Sequence, residues 1–115
     1  MGDVDRSEMR RAGSPDVSHS GTRELRVTFF GVRGSTPCHG DDTRRYGGNT
    51  SCVGLGVDGE VPIVFDLGTG LRYCGDRVPP SGPFSGVCLL THMHWDHVQG
   101  LPFFVPVLRE DAHLD

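Results

Sequence analysis

The chain has 115 residues, 36% of them hydrophobic and 23% charged, with a net charge of -4. That suits one domain or part of one and gives no reason to expect a basic nucleic-acid footprint, so a nucleic-acid partner stays open but is unsupported by charge. No apolar run approaches the roughly 20 residues that span a bilayer, so no membrane partner is expected.

The opening MGDVDRSEMRRAGSPDVSHSGTRE carries no apolar core of the secretory type, and the predicted location is cytoplasmic. Residues 1–23 are polar, contain Gly13, Ser14 and Pro15, and show no period. They read as a disordered polar tail ahead of a domain over 24–115. LRVTFF (25–30) is a β-branched and aromatic run closed by the turn-rich GVRGSTP, which predicts a strand. HGDDTRRYGGNT (39–50) is polar and ends in Gly47, Gly48 and Asn49, residues suited to shaping a turn.

SCVGLGV (51–57) alternates small and apolar residues, Asp58-Gly59 follows as a hairpin signal, and VPIVFDLG follows that. The pattern predicts antiparallel pairing of 51–57 with 61–66. LRYCGDRV (71–78) suits a turn or two of helix before PPSGP breaks it. SGVCLLTH (85–92) is a nearly continuous apolar run, as expected of a strand buried on both faces. LPFFVPVLRE (101–110) has the makings of a helix, interrupted at Pro106. Cys38, Cys52, Cys74 and Cys88 form no C-x-x-C pair and are expected, for the most part, to be buried free thiols.

The chemistry concentrates in THMHWDHVQG (91–100), where His92, His94, Asp96 and His97 fall within six positions. In extended backbone, residues i and i+2 project to one side, so His92 and His94 can meet one ion. Asp96 and His97 lie past them, where the chain turns toward Gly100, and can face a neighbouring ion. Three crowded imidazoles and a carboxylate are costly without something to satisfy them. Imidazole and carboxylate together suit Zn²⁺, with Mn²⁺ or Fe as alternatives. Two ions roughly 3.5–4 Å apart can activate a shared water for attack on phosphorus or carbonyl carbon. His19, His39 and His113 stand apart from this cluster and are read as ordinary surface or core histidines. Arg33 reads as a solvated loop arginine.

His92-Met93-His94-Trp95-Asp96-His97 resembles the H-x-H-x-D-H signature of the metallo-β-lactamase superfamily. GVRGSTP, RYGGNTSCV, the Asp-x-Gly of FDLGTG and THMHWDHVQGLPFF look like its phosphodiesterase-like subgroup, which includes cyclic-nucleotide and tRNA-processing phosphodiesterases. The resemblance covers about 25–110. It implies an α+β fold, the αββα sandwich, with the N-terminal half represented here. It implies His92 and His94 on a first zinc, Asp96 and His97 on a second, and Asp66 orienting a ligand histidine from behind. It further implies a hydrolase of phosphodiester bonds, acting on a small-molecule or nucleotide substrate, with a metal-bridging hydroxide as nucleophile that Asp96 also helps to orient. The family's remaining ligands, a histidine, a bridging aspartate and a final histidine, come from later segments, and His113 follows too soon to match. Two other readings stand beside it: an acyl or thioester hydrolase of the same superfamily, and a truncated, non-catalytic remnant with weak or no metal binding.

Overall fold

A computed structural model describes residues 21–57 and 63–115. Residues 1–20 of the predicted tail and the Asp58-Gly59 turn lie outside the described residues. Among the described residues, five strands form one sheet in sequence order: β1 (Leu25–Gly31), β2 (Cys52–Val57), β3 (Ile63–Phe65), β4 (Phe84–Leu89) and β5 (Ala112–Leu114). Strands β1, β2 and β3 pair antiparallel, with Val27 opposite Leu55 and Leu55 opposite Ile63. The pairing expected between the two runs flanking Asp58-Gly59 is therefore present. Strand β3 then runs parallel to β4, and β4 parallel to β5. Parallel neighbours need a crossover, and one short helix, α1 (Leu71–Gly75), lies within the first of these connections. The result is a mixed α+β domain.

Strand alternation sorts the side chains. Val64, Phe84 and Cys52 turn to the face that α1 covers, where Leu71 and Cys74, three positions apart, come up to meet them. Phe104 enters the same core from the segment after the histidine motif and packs edge-to-face on Phe84, ring centroids 5.4 Å apart. Helix α1 stops at Gly75 rather than running to residue 78. A Cβ at Gly75 would lie 3.2 Å from the Phe104 ring, so the helix end is where that ring is admitted.

The opposite face of the sheet is open among the described residues. Leu25, Val27 and Phe29 of β1 and Val87 and Leu89 of β4 are exposed. The expectation that 85–92 is buried on both faces is therefore corrected. The run is apolar on both sides, but only the side bearing Phe84 and Gly86 is covered. It also ends earlier, since residues 90–94 leave the sheet without regular pairing. The segment 101–110 forms two 3-10 turns, Leu101–Phe103 and Val105–Leu108, each with a proline in its opening turn. Proline removes the N–H that a continuous helix needs. Cys52 and Cys74 are buried free thiols as expected, whereas Cys38 is exposed and Cys88 partly so. No helix among the described residues is long and apolar enough to cross a membrane.

Candidate functional site

The carboxyl ends of the parallel strands β3 and β4 deliver the site. Loops that leave adjacent parallel strands at the same end lie side by side, which makes that end the usual place for ligands. Asp66 directly follows β3, and Thr91 to His97 follow β4. Backbone bonds stitch the two loops together: Leu67 N–H donates to His97 O at 2.7 Å and Gly100 N–H to Leu67 O at 2.8 Å. The approach is so close that a Cβ on Gly100 would stand 1.9 Å from the Gly68 carbonyl oxygen. Glycine is required there for contact, not for an unusual φ.

Asp66 is the hub. It is 3% exposed and accepts from four groups. Thr91 N–H reaches Oδ1 at 2.8 Å, and the Thr91 hydroxyl lies 2.9 and 3.0 Å from the two oxygens. The Ser51 hydroxyl donates to Oδ2 at 3.2 Å, and His97 Nδ1 lies 2.8 Å from the same oxygen. Burial alone would raise the Asp66 pKa, but these bonds from Thr91, His97 and Ser51 outweigh it and hold the carboxyl below its ordinary value. A carboxylate has no proton to give, so His97 Nδ1 must carry the proton in that contact. In the neutral ring His97 Nε2 is then the free lone pair. Asp66 also has a positive φ of 61°, which aspartate tolerates better than most residues. Its backbone N–H donates to Leu89 O at 3.2 Å, tying the turn to β4.

Asp96 and His97 sit in a 3-10 turn, Trp95–His97, entered through His94 in extended backbone. The Ser35 N–H, from the loop after β1, donates to Asp96 Oδ2 at 2.8 Å. That bond outweighs desolvation and lowers the Asp96 pKa. Ser35 itself has a φ of 65°. Among the described residues, the two non-glycine positions with positive φ, Ser35 and Asp66, both belong to this site. Strain of this kind persists where surrounding structure enforces it.

The three imidazoles are packed together. His92 and His94 have ring centroids 4.5 Å apart, and His92 and His97 4.0 Å. The structure thus brings together Asp66, His92, His94, Asp96 and His97. It does not bring Arg33, whose Nε donates to Thr36 O at 3.0 Å within its own loop. His113 lies on β5 opposite Ser85, near the start of β4 rather than its carboxyl end, and pairs with Asp115 at 3.1 Å. Gly47 has the positive φ (77°) of a turn former. Asn49 accepts from the Thr69 hydroxyl at 3.2 Å and so supports the loop beside the site. Thr91, Ser51 and Ser35 carry contacts that the sequence did not disclose.

The donor set fits a divalent ion as pairs. His97 Nε2 and Asp96 Oδ2 are 3.4 Å apart, close to the edge of a tetrahedron with metal–ligand bonds of about 2.0–2.1 Å. A buried carboxylate behind a histidine, leaving its other nitrogen free, is also the usual support of a metal ligand. Among the described residues, however, no three His, Cys, Asp or Glu side chains converge on one ion. Pairs alone give weak, ill-defined sites.

Compared with known proteins, the chain is 40% identical over 78 residues to Ribonuclease Z of Natronomonas pharaonis. The match covers 68% of this chain and 22% of that protein, so the chain spans about a fifth of the curated relative it matches. No family model and no solved structure matches the chain.

Proposed function

We propose that this chain carries part of the metal centre of a phosphodiester hydrolase of the metallo-β-lactamase superfamily, and with it the N-terminal half of an αββα sandwich. The observation that carries the reading is Asp66 at 2.8 Å from His97 Nδ1, with His97 Nε2 left 3.4 Å from Asp96 Oδ2. An imidazole held at Nδ1 by one carboxylate, with Nε2 beside a second, has the donor arrangement of a cation ligand. The identity to Ribonuclease Z supports a phosphodiester over an acyl substrate and brings RNA into the substrate class. The net charge of -4 adds no general affinity for a polyanion.

His92 and His94 would hold one ion, Asp96 and His97 a second, zinc first and Mn²⁺ or Fe in its place. Bound there, the ions would supply Lewis acidity and a water acidic enough to attack at neutral pH. The chain's own residues prepare for this. Asp66 fixes the proton on His97 Nδ1. Ser35 N–H orients Asp96 and favours its ionised form. The glycine contact between Gly100 and Gly68 holds Asp66 against the histidine loop. With the ions bound, Asp96 would also orient the attacking water.

A second reading has its own observation. Because donors meet in pairs and not in threes, these residues would hold metal weakly and turn over little without further ligands. Loading the purified chain with Zn²⁺ or Mn²⁺ and offering bis-p-nitrophenyl phosphate, cyclic nucleotides and a short RNA separates the two. Metal-dependent cleavage lost in His94→Ala supports the hydrolase. Weak or no zinc binding, without cleavage, supports the second reading. Cleavage of thioesters but not phosphodiesters would overturn the substrate class.

A further inference from the structure

We infer that Thr91 is a positioning residue whose hydroxyl relays the charge of Asp66 to His92 and so fixes which nitrogen of that ring faces outward. The inference deepens the metal-centre reading and rests on it for its purpose, though not for its geometry. Thr91 Oγ lies 2.9 and 3.0 Å from the Asp66 oxygens and 3.1 Å from His92 Nδ1. A hydroxyl has one proton to give and lone pairs to receive. Asp66 can only accept, and an O–H bond to a carboxylate is roughly twice as strong as one between neutral groups. The Thr91 proton therefore goes to Asp66, and the contact with His92 forms only if Nδ1–H donates to the Thr91 oxygen.

That assignment leaves His92 Nε2 unprotonated. The same hydroxyl is 3.5 Å from His97 Nδ1, but the His97 proton already points to Asp66 at 2.8 Å and does not compete. One buried carboxylate thus sets two rings, His97 directly and His92 through a hydroxyl. Both free nitrogens are Nε2, on rings whose centroids are 4.0 Å apart. Without a partner at Nδ1, a neutral imidazole reverts to its preferred form with the proton on Nε2, which would block that nitrogen as a ligand. Thr91 is well anchored for the task, because its backbone N–H is also bound to Asp66 at 2.8 Å.

The test is the tautomer of His92 in the metal-free full chain, read from long-range ¹H–¹⁵N spectra at a pH where the rings are neutral. The wild type should carry the His92 proton on Nδ1. Thr91→Val, which keeps the backbone bond and loses the hydroxyl, should move it to Nε2, and Thr91→Ser should keep it on Nδ1. Zinc affinity by equilibrium dialysis should fall about 10–100-fold in Thr91→Val and return in Thr91→Ser. A wild-type His92 protonated on Nε2, or an unchanged tautomer in a folded Thr91→Val, overturns the inference. If Thr91→Val does not fold, the wild-type spectrum still decides. If the wild type binds no zinc, the metal-centre reading fails, while the metal-free tautomer still settles the role of Thr91.

Discussion

Replacing Asp66 by Asn should destabilise the domain by about 2–4 kcal/mol, and the structure says why. Asn keeps the side-chain volume and tolerates the φ of 61° at this position, so backbone strain is not the variable. Its amide oxygen can keep the Thr91 bonds, but an NH₂ group must then face the Ser51 hydroxyl and His97 Nδ1, both donors to Oδ2. The charge-assisted bond from His97 accounts for about 1.5–3 kcal/mol and the Ser51 bond for about 1 kcal/mol. Rotation of Ser51 and a tautomer change in His97 recover part of that. Domains of this size are stable by only about 5–15 kcal/mol, so the loss is a large share of the total. In urea, with a slope near 1 kcal/mol/M for a small domain, the midpoint should fall by about 2 M or more at unchanged slope. A fall of less than about 0.5 M in a chain that still folds would refute the placement of Asp66 as the hub.

The remaining predictions come from the same contacts. Asp66 stays ionised in the folded state to lower pH than in the unfolded chain, so its contribution to stability is complete above about pH 4. It is lost as pH falls through the depressed folded value, and acid titrations followed by fluorescence should show a steeper loss in wild type than in Asp66→Asn. Gly100→Ala puts a Cβ 1.9 Å from the Gly68 carbonyl oxygen and should cost about 1–3 kcal/mol. Gly34→Ala, with nothing within 4 Å, should stay within about 0.5 kcal/mol; thermal unfolding of both checks the contrast. Phe104→Ala empties a site that is 1% exposed and should lower stability by about 3–5 kcal/mol in the same assay.

Much of the sheet is legible in the sequence because alternation and turn residues are local signals. The run 25–30, the pairing of 51–57 with the run after Asp58-Gly59, and the short helix opening at Leu71 follow from side-chain period and from glycine and proline positions. Strand β5 is not legible: Ala112, His113 and Leu114 have no strand pattern, and their pairing with Phe84–Gly86 is a tertiary event. The open face is equally hidden, because an apolar run such as 85–90 reads the same whether one side or both are covered. In the site, the spacing of His92, His94, Asp96 and His97 is legible because it is short. The support from Ser35 and Ser51 is not, since those contacts span 61 and 15 residues. Thr91 adjoins the motif and could have been found by asking what fixes the tautomer of His92.

Zinc binding by the chain decides whether residues 92–97 form a metal centre. Equilibrium dialysis of wild type, His94→Ala and His97→Ala should show zinc retained by the wild type and weakened at least about 10-fold in each variant. Zinc bound equally by all three, or by none, would contradict a metal centre at residues 92–97.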